Sequence, residues 1–298
     1  MKVGLIGLGK MGSNLAMQLL DKGHQVVGYD RDASNAGKLF GHAGLAVDSL
    51  EQLVSALTPP RLVWVMVPPG DPVNATVTRL TELLSEGDTI VDGGNSHYKD
   101  SMRLAEFCCG KGVRFLDAGT SGGMEGARHG ACVMVGGDRQ AFEAIEPLLA
   151  DVCVPHGYLY AGASGSGHFL KMVHNGIEYG MMQAIAEGFE VLHKSSFDLN
   201  LAEVAGLWSH GSVIRGWLME LTARALDKDA KLDQIQGIMH SSGEGKWTVE
   251  TALELQASTP VIALSLLMRY RSLETDAFHG KVVAALRNEF GGHEVVKQ

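Results

Sequence analysis

The chain has 298 residues, of which 45% are hydrophobic and 20% are charged, and its formal net charge is −9. This length predicts two domains, because a single core rarely grows beyond about 250–300 residues. The acidic balance argues against a nucleic-acid partner, because the chain has no excess of Lys and Arg to displace counterions from phosphates. There is no apolar run of about 18 residues and no signal peptide, so we expect no membrane contact and a cytoplasmic location.

The first predicted strand leads directly into a glycine-rich turn. Gly7, Gly9 and Gly12 have the spacing Gly-x-Gly-x-x-Gly. In dinucleotide-binding units the first glycine permits a tight turn, the second lets the backbone approach a pyrophosphate, and the third lets the helix pack close to the strand. The helix N-terminus then presents free N–H groups to the phosphates. We therefore predict a dinucleotide site here, to which the intervening Lys10 and Met11 contribute.

The second predicted strand, Val26–Asp30, ends in a carboxylate 18 positions beyond Gly12. This spacing is close to the roughly 20 residues expected for the acid that binds the ribose hydroxyls. A carboxylate there favours NAD, because it repels the 2′-phosphate of NADP. Arg31 could instead bind that phosphate, whereas the negative charge of Asp32 would repel it. The sequence thus predicts NAD as the preferred cofactor and NADP as a weaker one.

Further β-branched runs alternate with helical stretches through the first half. The predicted strands lie at 62–67, 89–92, 113–117 and 131–135. Such alternation predicts a parallel, doubly wound sheet with its ligand beyond the carboxyl ends of the strands. Val67, Pro68 and Asn95 lie at or just after two of these strand ends, so we assign them to the cofactor site as well.

From about Ser164 the strand-like runs vanish and long amphipathic stretches take over, as at 169–193 and 261–290. The predicted fold class is therefore α/β followed by all-α. A Rossmann-like dinucleotide-binding domain is expected over residues 1–164. An all-helical domain for substrate binding and dimerisation is expected over residues 165–298.

Four polar residues share one face of the first long helix. His174, Asn175 and Glu178 follow Lys171 at offsets of 3, 4 and 7. A lysine and a glutamate two turns apart can serve as general base and general acid, provided that desolvation or nearby cations lower the pKa of the amine. The alternative is a solvated stripe with i,i+4 pairing. The apolar residues between them are expected to face the other way, into packing: Leu170, Val173, Ile177 and Met181.

This helix and four other motifs resemble the decarboxylating 6-phosphogluconate dehydrogenases. In chain order, the motifs are Ile90–Asp100, Thr120–Arg128, Lys171–Gly180, Gly245–Thr248 and Arg287–His293. The resemblance covers essentially the whole chain. Because the long members of the family have a helical domain of roughly twice this size, the sequence looks like the short-chain form.

The resemblance implies oxidative decarboxylation of 6-phospho-D-gluconate to D-ribulose 5-phosphate and CO2, a reaction of the pentose phosphate pathway. Lys171 would take the proton from the 3-hydroxyl while hydride leaves C3. Glu178 would later protonate C1 of the enediol. No metal is expected, because the ketone itself accepts the electron pair released with CO2, and the sequence has no cluster with recognisable ligand spacing.

The resemblance also implies three groups of substrate contacts. Around the carboxylate end and the nicotinamide lie Asn95, Ser121, Gly122 and Gly123. Around the hydroxyls lie His174 and Asn175, beside Lys171 and Glu178. Around the phosphate lie Tyr179, Lys246, Thr248 and one arginine of Arg269-Tyr-Arg271, with Arg269 preferred.

The last matching motif implies a second subunit. In the family this tail enters the neighbouring active site, so Arg287 and His293 would bind phosphate in trans within a homodimer or a dimer of dimers. An isolated monomer is then expected to be inactive. Two positions depart from the family pattern: Met124 replaces the acid usual in long members, and Asp30 replaces the small polar residue of NADP-specific members.

Two other functions remain open on the sequence. A β-hydroxyacid dehydrogenase of the 3-hydroxyisobutyrate type shares the Ser-Gly-Gly loop and the Lys-x-x-x-Asn pair. Its substrate has no phosphate and its reaction needs no dedicated acid, so Glu178, Lys246 and the tail argue against it. An NAD-binding redox sensor without activity would have no reason to keep Lys171 and Glu178 facing the cofactor.

Overall fold

The computed structural model describes residues 1–37 and 44–297. It divides into two compact units, Met1–His174 and Asn175–Gln298. Within the described part of the first unit, eight strands form one sheet in the order β3-β2-β1-β4-β5-β6-β7-β8. Their bounds are β1 (Lys2–Ile6), β2 (Gln25–Tyr29), β3 (Leu45–Ala46), β4 (Leu62–Val65), β5 (Thr89–Asp92), β6 (Arg114–Ser121), β7 (Ala131–Gly137) and β8 (Cys153–Gly162).

Helices connect these strands and cover both faces of the sheet. They are α1 (Lys10–Asp21), α2 (Ala33–Ala36), α3 (Leu50–Ala56), α4 (Asp71–Leu83), α5 (Tyr98–Cys109), α6 (Gly123–His129) and α7 (Arg139–Val152). Successive strand residues belong to opposite apolar clusters: Trp64 to one, Val63 and Val65 to the other. A strand that is buried on both sides is typical of a parallel sheet between two helical layers. This confirms the predicted Rossmann-like half.

The far edge of the sheet differs from the prediction. β6 and β7 are antiparallel, β8 runs parallel to β7, and β8 was not predicted. Only nine residues, 122–130, separate β6 from β7. A parallel crossover needs about a dozen residues or more, so the chain can only turn back. The carboxyl end of β7 at Gly136 therefore lies level with the amino ends of the parallel strands, away from the predicted ligand cleft.

The chain continues as a series of helices, as predicted. Their bounds are α8 (Ser166–Lys194), α9 (Leu201–Trp208), α10 (Trp217–Lys228), α11 (Gly243–Glu254), α12 (Pro260–Ser272) and α13 (Phe278–Gly291). The amphipathic stretch 261–290 is thus two helices rather than one. The expected domain boundary at 164/165 precedes α8, whereas the division into compact units falls inside α8 after His174. Within the described residues, no helix combines the length and the apolar character that crossing a bilayer requires.

The apolar face of α8 is not packed as predicted. Leu170 is 38% exposed, Ile177 52% and Met181 51%, whereas Lys171 is only 5% exposed. α13 has no buried residue at all among those described. Periodicity predicts that a face will be covered, but it does not specify that the cover comes from the same chain. Among the described residues, the polar face of α8 carries the buried lysine, whereas three of the four predicted apolar residues are exposed and Val173 is half-buried.

Candidate functional site

The glycine-rich turn has the geometry that its spacing predicts. Gly7 has a φ of +89°, in the region that favours glycine. A Cβ atom on Gly12 would lie 1.8 Å from the carbonyl oxygen of Gly7, so only glycine lets α1 pack this close to β1. A Cβ on Gly9 would meet no atom within 4 Å, which leaves its backbone open to an approaching group. The three positions therefore fit a bound pyrophosphate.

This turn forms one wall of a cleft of about 700 Å³ at the carboxyl ends of the parallel strands. That volume lies within the roughly 300–1,000 Å³ of small-molecule sites. All ten residues predicted to hold the cofactor line it: Gly7, Gly9, Lys10, Met11, Gly12, Asp30, Arg31, Val67, Pro68 and Asn95. Sequence reasoning missed a wall from α4, where Pro72, Ala75 and Thr76 face the cleft. Their helical spacing was the available signal.

Asp30 has a structural contact that its sequence position does not reveal. Its Oδ2 accepts a hydrogen bond from the backbone N–H of Leu8, inside the glycine turn, at 2.6 Å. Its Oδ1 accepts from the N–H of Asp32 at 2.8 Å. The carboxylate thus ties the end of β2 to the turn after β1. Each oxygen keeps acceptor capacity for a further donor, such as a ribose hydroxyl.

The loop after β5 is held by two side chains. Asn95, whose φ is +55°, bonds the backbone of Thr120 twice: Oδ1 accepts from the N–H at 3.0 Å, and Nδ2 donates to the carbonyl at 3.3 Å. Asp92 is fully buried and accepts from Gly94 N at 3.0 Å and from Ser96 Oγ at 2.7 Å. The predicted site residue Asn95 is therefore fixed across the ends of β5 and β6.

Ser121, which follows Thr120 on β6, begins a chain of polar contacts. Ser121 Oγ lies 3.1 Å from His174 Nε2, and His174 Nδ1 lies 3.4 Å from the Nζ of Lys171. Lys171 is 5% exposed, so its amine is shielded from water. Three residues predicted to be functional are thereby brought together within the first unit. Gly122 and Gly123, which follow Ser121, form the turn into α6 with φ values of +121° and +59°.

A second cluster of predicted residues lies within the helical unit. The guanidinium of Arg269 stacks over the Tyr179 ring at 3.7 Å, and its Nη1 donates to the carbonyl of His240 at 2.9 Å. The Tyr179 hydroxyl accepts from the N–H of Ser242 at 3.0 Å and lies 3.1 Å from its Oγ. Ser242 was not predicted; its only signal was its place directly before the Gly-x-Gly-Lys-Trp-Thr segment.

Close packing brings α8 and α11 together in this unit. A Cβ on Gly245 would lie 2.4 Å from the Tyr179 ring, and one on Gly176 would lie 2.6 Å from the Thr248 methyl group. Thr248 is 5% exposed, and its hydroxyl donates to the carbonyl of Glu244 at 2.8 Å. The predicted residues Tyr179 and Thr248 therefore lie on facing helices.

The remaining predicted residues differ in their exposure. Lys246 is exposed and pairs with Glu250 at 3.4 Å, which is an ordinary i,i+4 contact. Arg287 on α13 and His293 just beyond it are both exposed. Asn175 and Glu178 on α8 are partly buried.

Comparisons with known proteins agree with this geometry. The family described as the NAD binding domain of 6-phosphogluconate dehydrogenase matches residues 2–159, and the family of its C-terminal domain matches residues 167–295. A Bacillus subtilis protein, YqeC, whose own assignment to these dehydrogenases is provisional, is 63% identical over the full length of both chains. The NAD(+)-dependent, decarboxylating 6-phosphogluconate dehydrogenase of Haloferax volcanii is 41% identical over 100% of this chain and 99% of its own.

Solved structures show the same fold. The 6-phosphogluconate dehydrogenase of Plasmodium falciparum superposes with a TM-score of 0.85 at 30% identity, over 100% of this chain and 66% of its own. A Mycobacterium tuberculosis 3-hydroxyisobutyrate dehydrogenase superposes with a TM-score of 0.72 at 21% identity, over 91% of this chain and 92% of its own. At that identity the second likeness concerns the fold alone. The chain is an oxidoreductase with an NAD(P)-binding domain and belongs to the 6-phosphogluconate dehydrogenase family.

Proposed function

We propose that the protein catalyses the oxidative decarboxylation of 6-phospho-D-gluconate to D-ribulose 5-phosphate and CO2, with NAD as the preferred oxidant. The observation that carries the proposal is the contact chain Lys171–His174–Ser121, which begins next to Thr120 of the dinucleotide cleft. A shielded amine beside a hydride acceptor is what removal of a hydroxyl proton requires. The hydrogen-bonded histidine and serine hold that amine in a fixed direction.

The proposed reaction has three steps. Lys171 removes the proton of the 3-hydroxyl as hydride leaves C3. NAD, which the glycine turn and Asp30 would hold, would supply the hydride acceptor. The bond from the carboxyl carbon to C2 then breaks, and its electron pair forms the enol of the new ketone, whose oxygen the protonated Lys171 polarises. Glu178, seven positions further along α8, protonates the former C2, which is C1 of the product.

The preference for NAD is supported by the residue at the end of β2. Asp30 lines the cleft and is anchored to the glycine turn, so its charge faces any group on the adenosine ribose. That charge repels a 2′-phosphate. The Haloferax volcanii relative has NAD(+)-dependence in its name, whereas the Plasmodium falciparum enzyme was solved with NADP+.

The substrate phosphate is assigned to the cluster of Tyr179, Ser242 and Arg269. An arginine that stacks on an aromatic ring is held rigid, and a rigid guanidinium suits bidentate binding of a phosphate. Ser242 immediately precedes α11, so the first turn of that helix also offers N–H groups to an anion. Lys246 and Thr248 follow on the same helix and complete the set.

A second copy of the chain is proposed to complete the site. The open apolar face of α8 and the exposed side chains of α13, among them Phe278 and Phe290 at 78% each, would be covered in a homodimer. The dimer would also bring Arg287 and His293 to the phosphate of the other subunit. Deleting the residues after Leu286 should therefore abolish turnover even in a protein that keeps the secondary structure of the full chain.

The decisive experiment mixes the purified protein with NAD and 6-phosphogluconate and follows NADH and CO2 together. Equal amounts of the two products are expected. NADH without CO2, formed from 3-hydroxyisobutyrate, would point to the β-hydroxyacid alternative. Absence of turnover with any hydroxyacid would refute a catalytic role. Glu178→Gln should still oxidise and decarboxylate but release product slowly, because the last proton has lost its donor.

A further inference from the structure

A buried carboxylate of β6 holds the start of α8. Asp117 is fully buried, and its Oδ1 accepts from the N–H of Gly165 at 2.7 Å while its Oδ2 accepts from the N–H of His168 at 2.9 Å. N–H groups at a helix start have no acceptor inside the helix, so they need one from outside. Here both oxygens of a single carboxylate provide it. The start of α8 is thereby fixed to the middle of a core strand.

Glycines remove any space between this helix and the sheet. A Cβ on Gly167 would lie 2.4 Å from the carbonyl oxygen of Asp117, and one on Gly136 would lie 2.7 Å from the N of Gly167. A Cβ on Gly119 would lie 2.4 Å from the Cβ of Lys171. The backbone of α8 thus touches β6 and β7 directly, and Lys171 leaves the helix at this contact.

The same first turn is also tied to α5. His168 is 1% exposed, and its Nδ1 lies 2.7 Å from the Oγ of Ser101, a fully buried residue of that helix. The backbone N–H of His168 donates one of the two hydrogen bonds that Asp117 accepts. One helical turn separates His168 from Lys171. A displacement of this turn therefore moves the lysine as well.

We propose that Asp117 is a positioning residue for the reaction, which sets the place of the Lys171 amine by clamping the start of α8, with the His168–Ser101 contact as a second support. The inference rests on the proposed function, in which that amine is the base. Asp117 influences the lysine through the start of α8, by means of Gly165 and His168. A misplacement of a reacting group by about 1 Å can cost about 100-fold in rate.

The test compares two buried aspartates. Asp117→Asn keeps the volume but replaces one acceptor by a donor, so one N–H of the clamp loses its partner. Asp88→Asn is the control: Asp88 is also fully buried and accepts from Arg61 N at 2.6 Å and from Ser85 N at 2.9 Å, at the amino end of β5. Because its Oδ2 also pairs with Arg61 Nη1 at 2.8 Å, Asp88→Asn should lose at least as much stability as Asp117→Asn. Both variants should lose thermal stability, since both leave a buried amide without its acceptor.

Only Asp117→Asn should impair the reaction. We expect its kcat to fall about 10- to 100-fold while KM for NAD stays within about twofold, whereas Asp88→Asn keeps both values. Amide hydrogen exchange at 165–174 should accelerate in Asp117→Asn alone. Ser101→Ala removes only the contact with His168 and should give a smaller fall in kcat. It replaces Asp117→Asn as the test variant if Asp117→Asn does not fold.

The outcomes separate the two proposals. If the wild type makes no NADH from 6-phosphogluconate, the proposed function fails, and the exchange data still report on the clamp. If the wild type is active but Asp117→Asn and Ser101→Ala both keep its kcat, the positioning role is refuted. Unchanged exchange at 165–174 in Asp117→Asn would refute the clamp itself.

Discussion

Replacing Asp30 by asparagine tests the basis of cofactor choice. Asparagine has one acceptor oxygen, so it cannot serve both Leu8 N and Asp32 N, which the carboxylate binds at 2.6 and 2.8 Å. A hydrogen bond from a ribose hydroxyl to a charged acceptor contributes about 1.5–3 kcal/mol. Its loss lowers kcat/KM for NAD about 10- to 150-fold. The 2′-phosphate of NADP meanwhile loses a repulsion of about 1 kcal/mol or more.

Together these effects should raise the NADP/NAD ratio of kcat/KM by about 100- to 1,000-fold. The assay is initial-rate kinetics with each cofactor at saturating 6-phosphogluconate. Asp32→Asn is the control, because that side chain accepts from Ser34 N at 2.9 Å and caps α2 instead of holding the glycine turn. Equal shifts of the NADP/NAD ratio in both variants would mean that the total negative charge near the cleft, and not the position of Asp30, sets the cofactor preference. An unchanged ratio in Asp30→Asn would refute the reasoning.

Three further predictions concern the chemistry and the surface. Lys171→Ala should lower kcat at least 100- to 10,000-fold, and near-normal turnover would exclude the lysine as base. Arg269→Ala should raise KM for 6-phosphogluconate with little effect on KM for NAD. Arg271→Ala should leave both KM values unchanged, because Arg271 Nη1 donates to the carbonyl of Glu274, just after α12. Equal effects of the two substitutions on KM for 6-phosphogluconate would contradict the assignment. Burial raises the pKa of Cys108 and Cys153 to about 12, so iodoacetamide at pH 8 should label only the two exposed cysteines, as peptide mass spectrometry would show.

Local signals in the sequence predicted much of this structure. The roles of Gly7, Gly9 and Gly12 follow from contacts within a dozen residues, so their spacing alone defined the turn. The polar face of α8 was likewise defined by helical periodicity. Fold class followed from the change of pattern near residue 164. In each case the information is contained in neighbouring residues.

Contacts between distant segments could not be predicted in this way. The reversal of β7 depends on how far a nine-residue connection reaches, and the contact of Asp30 with Leu8 depends on which strands are neighbours. Ser242 joins Tyr179 across 63 positions of sequence. Exposure of Met181 shows the limit of periodicity, because an apolar stripe does not specify which molecule covers it.

The contact chain from Lys171 to Ser121 restricts where hydrogens can lie. When its amine is charged, Lys171 can only donate to His174 Nδ1, and a neutral imidazole then carries its hydrogen on Nε2 and donates it to Ser121 Oγ. The serine hydroxyl then has to direct its own hydrogen away from the ring. While the lysine is charged, the serine hydroxyl is therefore free to donate to a ligand, whereas a neutral amine, which can donate or accept, imposes no such arrangement.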